Sequence, residues 1–183
     1  MPLRRTALAA LARLVVLAAA ASASAPLQSR PVDVYALDLA WRDDRDRPFT
    51  LASLDGTPAV LTLAYGACRR VCSTSLRLME QLQQLADRRG VALQFVVVGL
   101  DPEADRPADW AELRRERHLE RANWHFLSGD AASVRRLAQR LGVRYWRQGE
   151  HLMHDFRLVQ LSAEGRLARS LDHFGEPVDR LLP

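Results

Sequence analysis

The sequence predicts an α/β domain, a central mixed sheet flanked by helices with an N-terminal β-hairpin extension. Three observations point there. Apolar runs of strand length, at residues 59–64 and 93–100, alternate with stretches whose apolar residues recur at helical spacing. The last third changes character, with two short strand-like runs joined by a four-residue turn. At 183 residues, 48% hydrophobic and 26% charged, the chain suffices for one ordinary domain and excludes a collagen, a disordered polar tail or a polytopic membrane protein.

The elements follow in order. Residues 26–48 read as an extended arm outside the core, because Pro31, Pro48 and the cluster Arg42-Asp43-Asp44-Arg45-Asp46-Arg47 argue against packing. Residues 49–54, the Asp55-Gly56 turn and residues 59–64 read as a hairpin entering a buried strand. Residues 73–89 carry Leu76, Met79, Leu82 and Leu85 at helical spacing, with Gly90 as the stop. Residues 93–100 are a run short enough for a buried parallel strand. Residues 107–121 form a charged helix whose Arg114, Arg115, Arg117 and Arg121 are expected to be solvated. A short strand at 124–127 precedes a helix over 131–141, closed by Gly142. Residues 145–154 read as a loop, 155–161 and 166–171 as a hairpin about Ser162-Ala163-Glu164-Gly165, and Pro177 opens a short terminal helix. A βαβ unit followed by an antiparallel hairpin is the plan of a thioredoxin-like fold, here over 49–183.

Residues 1–25 have the parts of a secretory signal. Arg4 and Arg5 precede an apolar stretch, and Ala21-Ser22-Ala23 and Ala23-Ser24-Ala25 are cleavage candidates. The alternative is an uncleaved N-terminal membrane anchor. Either way the domain is expected outside the cytoplasm, in the periplasm. All 26 basic residues are arginine, which excludes lysine Schiff-base chemistry and a P-loop lysine. Removing Arg4, Arg5 and Arg13 leaves 23 arginines against 22 acids, so the charge does not imply nucleic-acid binding.

An exported domain gives its two cysteines, Cys68 and Cys72, a particular meaning. A disulfide that staples a secreted protein gains from closing a long loop, and this pair closes almost none. The spacing suits a redox pair or a chelate. Both lie where the first core strand meets the first long helix, with Arg69 and Arg70 between them, a setting that lowers thiol pKa values. Asp101, after the second core strand, comes to the same sheet edge, although taken alone it is better explained by a turn or capping role, and Asp105 or Asp109 can start the next helix. Of the five histidines, His118 and His173 read as solvated and His125 as a strand residue. His151 and His154 precede the final hairpin, and His154 abuts the strand. Two thiolates and an imidazole suit a soft metal, Cu(I) above all.

Four segments in order resemble the Sco/SenC family, thioredoxin-like copper chaperones of cytochrome c oxidase assembly. They are L-D-G-T-P-A-V-L-T-L-A-Y-G-A-C-R-R-V-C, G-L-D-P-E-A-D-R-P, W-H-F-L-S-G-D with L-A-Q-R-L-G-V, and the histidine ahead of the last hairpin. The resemblance implies copper ligation by Cys68, Cys72 and His154, with Asp101 as a supporting acid. It also implies a monomer that delivers copper to a partner such as a cytochrome c oxidase subunit. Arg69 and Ser73 stand where family members carry proline, Arg106 where they carry threonine, and Asp155 where serine is common. Arginines in the chelate loop oppose a bound cation and favour thiolate and disulfide chemistry. Asp155 would offset that charge or orient the imidazole.

Three functions are therefore expected to compete. The first is a metallochaperone holding one copper ion. The second is a thiol–disulfide oxidoreductase that reduces the cysteines of a copper-site partner through Cys68 and Cys72. The third, a peroxidase on the same fold, has only Thr62 to offer beside an activated thiol.

Overall fold

The computed structural model describes residues 33–66 and 71–183, with side chains from residue 73 onward in the second stretch. The expected signal over 1–25 and the first part of the arm lie outside the described residues, as do Cys68, Arg69, Arg70 and the side chain of Cys72. Three parallel strands form the middle of the sheet: β3 (Ala59–Ala64), β4 (Gln94–Gly99) and β5 (Trp124–Gly129). β3 is buried along its whole length, which explains why its sequence is a near-continuous apolar run. Antiparallel strands extend both sides. β1 (Trp41–Asp43) joins β5 and then β2 (Pro48–Phe49), while β8 (Leu158–Leu161) joins β3 and then β9 (Leu167–Leu171). The seven strands run β2-β1-β5-β4-β3-β8-β9.

Each face of the sheet buries its own core. Helices α1 (Val71–Arg89) and α2 (Pro107–Glu116) cover one face. Leu76, Met79, Leu82 and Ala86 of α1 and Trp110 of α2 pack there against Val60, Phe95, Val97 and Phe126. On the other face, Val134, Leu137, Ala138 and Leu141 of α3 (Ala131–Leu141) meet Leu61, Leu63, Val96, Val98 and Leu127. Local chemistry sets the helix ends. Asp130 accepts the Ala132 and Ser133 amides at the start of α3, and Gly142 closes it at φ +68°, a conformation open to glycine. Among the described residues no helix is long and apolar enough to cross a membrane.

Several sequence expectations are corrected. The described part of the arm is not outside the core: Val34, Tyr35, Leu39 and Trp41 are buried in it. Trp41 pairs with Gly129, where an added Cβ would come within 2.4 Å of the indole, so glycine makes the space the tryptophan fills. The charge cluster is the turn between β1 and β2. Asp43 accepts the Arg45 and Arg47 amides and the Arg47 guanidinium, and Arg42 pairs with Asp46. The N-terminal hairpin is thus β1–β2, while residues 51–54, expected as its strand, form a 3-10 turn. Arg114 is not solvated, since it is buried against Asp44 and also donates to the carbonyls of Leu119 and Arg121. α2 ends at Glu116, short of the expected 121. The closing helix is a 3-10 turn, Val178–Leu181. The stretch 145–154, expected as a loop, is a two-stranded ribbon, β6 (Tyr145–Gln148) and β7 (His151–His154), standing apart from the main sheet.

Candidate metal centre at the carboxyl edge of the sheet

The carboxyl ends of the parallel strands, where α/β folds collect their functional groups, carry the candidate residues. Gly66 follows β3, and Cys68 and Cys72 come two and six residues beyond it in the sequence. Cys72 is the second residue of α1, so the second cysteine lies in the first turn of a helix, the positive end of its dipole. At the next residue, within the same first turn, the guanidinium of Arg117 donates to Ser73 Oγ at 2.9 Å and adds positive charge there.

His154 arrives from the opposite direction. β8 runs antiparallel to β3 with Leu158 opposite Thr62, so the four residues before Leu158 run back past the end of β3. Gly66 is likewise four residues beyond Thr62, which brings the end of β7 to the same edge. The imidazole is largely buried, and burial holds its pKa below the ordinary histidine value. Its Nδ1 lies 2.9 Å from the carbonyl oxygen of Asp155. A carbonyl can only accept, so Nδ1 carries the proton and Nε2 of the neutral ring keeps its lone pair. That Nε2 is buried and has no hydrogen-bond partner among the described residues. An orphaned buried nitrogen with an available lone pair is what a metal ligand looks like before its ion is added.

Asp155 orients the ring through its backbone, not its carboxylate. The carboxylate is held by Arg144, at 2.9 and 3.1 Å from the guanidinium and 3.0 Å from the amide. This clamp joins the two ends of the ribbon where His154 is seated.

Asp101 is buried after β4, and its Oδ2 accepts from Arg147 on β6 at 2.8 Å. It therefore ties the ribbon to the β4 loop, while its Oδ1 accepts the Glu103 amide in the turn. Its pairing with Arg147 is invisible in the sequence, because 46 residues separate them.

Asp105 is the residue sequence reasoning misplaced. It does not start α2. Arg106 does, in a reciprocal arrangement with Asp109. The Asp105 carboxylate is buried and accepts two amides at 2.8 Å, from Gly66 with Oδ1 and from Asp101 with Oδ2. It thus connects the exit of β3, leading to the cysteines, with the exit of β4. Burial raises its pKa to about 6, against the pull of those amides and helped by the nearby Asp101 charge. Gly66 and Gly99 make room for it: a Cβ on Gly99 would lie 2.6 Å from the Asp105 Cβ. Glycine at the ends of two adjacent strands was the available signal.

The other candidates are dispersed. Thr62 spends its hydroxyl on the carbonyl of Arg157, at 2.9 Å. His125 sits on β5 with Nε2 3.0 Å from Gln94 Oε1, and His118 and His173 are exposed. Among the described residues no three His, Cys, Asp or Glu side chains gather as a metal cluster, so the cysteine segment must complete any site built on His154.

The SCO1/SenC family model matches residues 35–181. A Stutzerimonas stutzeri protein named "Putative copper-binding protein" is 31% identical over 104 residues, covering 56% of this chain and 50% of that one. This chain therefore spans about half the length of that curated relative. Among solved structures, a SCO1/SenC family lipoprotein from Bacillus anthracis superposes with a TM-score of 0.74 at 17% identity, over 84% of this chain and 94% of that one. Arabidopsis thaliana ScoI with copper bound gives 0.69 at 20% identity, over 78% and 90%. The expected thioredoxin-like fold is the one these structures share with this chain.

Proposed function

The chain belongs to the SCO1/SenC family, and from that premise we propose that it is a copper-binding metallochaperone working outside the cytoplasm. Copper is its cargo. In the reduced domain the thiolates of Cys68 and Cys72 and the Nε2 of His154 hold one ion and pass it to a partner copper site, such as that of a cytochrome c oxidase subunit. The observation that carries this reading is His154. Its ring is buried, its tautomer is set by the Asp155 carbonyl, and its Nε2 is left with a free lone pair. Two soft thiolates and an imidazole suit Cu(I), and an open coordination position lets ligands be exchanged one at a time. Asp155 and Asp101 act as positioning residues, through Arg144 and Arg147, by holding the ribbon that carries the histidine. Competition for Cu(I) against a calibrated chelator tests the reading. Wild type should bind one equivalent, with at least a tenfold loss of affinity in His154→Ala and loss of binding in Cys68→Ser and Cys72→Ser. Unchanged affinity in all three variants would defeat it.

One observation favours a second reading, thiol–disulfide exchange. Arg69 and Arg70 lie between the cysteines, and Arg117 brings a further guanidinium to the first turn of α1. Positive charge and a helix N-terminus favour thiolate over thiol. In this chemistry one cysteine thiolate attacks a partner disulfide and expels one partner thiolate. The second cysteine then attacks the mixed disulfide, leaving a Cys68–Cys72 disulfide and a reduced partner, two electrons having passed to it. Disulfide reduction should survive His154→Ala, whereas copper binding should not.

A further inference from the structure

The β6–β7 ribbon has two faces with different chemistry. Its register pairs Tyr145 with His154 and Arg147 with Leu152 on the inner face, where Leu152 is buried. On the outer face it pairs Trp146 with Met153 and Gln148 with His151. Trp146 is 49% exposed and Met153 41%. Trp41, Trp110 and Trp124 are buried, as is Met79, so this face alone among the described residues presents an indole and a thioether to solvent. His151 is exposed beside them, and its imidazole has no hydrogen bond or ion pair among the described residues.

The spacing brings these groups within reach of one ion. Directly opposed residues of an antiparallel pair hold their Cβ atoms roughly 5 Å apart, so the side chains of Trp146 and Met153 are within reach of one another on this face. His151 and Met153 are two positions apart on one strand, roughly 7 Å between Cα atoms, with both side chains on the same face. A flexible thioether and an imidazole at that spacing converge on a metal ion without backbone movement. Their chemistry is selective. Thioether and imidazole are neutral donors that favour soft Cu(I), and an indole face attracts a cation placed over it. Neither β6 nor β7 itself contributes a carboxylate that would favour hard or borderline divalent ions. Neutral donors on an exposed ribbon bind more weakly than two thiolates, as suits a site that takes up an ion and gives it up again.

We propose that the outer face of this ribbon is a second, weaker Cu(I) site, formed by His151 and Met153 under the ring of Trp146. It lies on the opposite face from His154 and stands on its own donors, independent of the thiolate site. Because Met153 is the residue before His154, an ion held there is one residue from the imidazole of the principal site.

The full chain carrying Cys68→Ser and Cys72→Ser, titrated with Ag(I) as a redox-stable monovalent probe and with Cu(I) under anaerobic conditions, isolates the outer face. The expected result is a saturable one-to-one shift of the Met153 methyl resonance with quenching of Trp146 emission. Met153→Leu should abolish the quenching, His151→Ala should weaken binding at least tenfold, and excess Zn(II) should not displace the ion. A Met153 methyl that does not move, or quenching that persists in Met153→Leu, overturns the proposal. Since this background lacks both thiolates, failure here leaves the Cys68–Cys72–His154 reading to its own test, and failure there leaves this one intact.

Discussion

Replacing Asp105 by asparagine should remove a pH dependence that runs opposite to ordinary acid denaturation. The Asp105 carboxyl is buried, with a pKa raised from 3.8 to about 6. Between those values the folded chain holds a proton that the unfolded chain has released, so stability falls as pH rises through this window. The group's contribution is fully present below about pH 4 and lost above about pH 6. A shift of about two units at 1.36 kcal/mol each amounts to about 3 kcal/mol. Asparagine keeps one acceptor for the Gly66 or Asp101 amide but does not titrate. Urea unfolding of the metal-free, reduced wild type and Asp105→Asn at pH 4, 5, 6 and 7 gives the difference directly. Wild type minus variant should decline by about 2 kcal/mol across the series, most steeply near pH 5, midway between the two pKa values. Parallel curves would show that Asp105 is ionised in the fold at no cost, and the reasoning from its burial would be wrong.

His154 should behave with the opposite sign, because burial lowers its pKa. The unfolded chain takes up a proton near pH 6.5 before the folded one does, so the fold loses stability as pH drops below that value. NMR titration of the metal-free protein should place the His154 midpoint below the ordinary histidine value of 6.5, and a midpoint at or above it contradicts this. Arg114→Met leaves the largely buried Asp44 carboxylate without its cation and should cost about 3–5 kcal/mol in urea unfolding. Adding Asp44→Asn should recover much of that loss, and an unrecovered loss would assign the effect to the carbonyls Arg114 also serves. Gly99→Ala forces a Cβ against Asp105 and should destabilise by about 1–3 kcal/mol, read from the urea midpoint, where a change of a few tenths would show that Asp105 can move aside.

The features legible in the sequence are those set by local pattern. β3 and β4 are apolar runs too short for helices, α1 and α3 show their buried stripe at helical spacing, and Gly142 marks a left-handed helix end. The misread stretches depend on distant partners. Residues 33–41 looked like an arm because Gly129, the space for Trp41, is 88 residues away. The ribbon looked like a loop because only Leu152 is fully buried, leaving too little alternation to see. Asp105 reads as a capping residue because a turn acid looks the same in sequence whether solvated or buried. The cysteine pair stands out as a candidate by type and spacing, and His154 only through the family resemblance. The tautomer of the histidine, and the carbonyl that sets it, required the fold.

The two clamps on the ribbon have a consequence for how the ligand set responds to its medium. His154 is seated on an element fastened by Arg144–Asp155 and Arg147–Asp101, whose arginine side chains are 83% and 54% exposed. Such pairs weaken as ionic strength rises, each by at most about 1 kcal/mol, whereas the hydrophobic packing beneath α1, which carries Cys72, strengthens slightly. His154 and Cys72 therefore sit on elements fastened in different ways. Salt, or a charged surface that draws off either arginine, would slacken the histidine's mounting and leave that of the thiol on α1 unchanged, so the site has a preferred side from which to open.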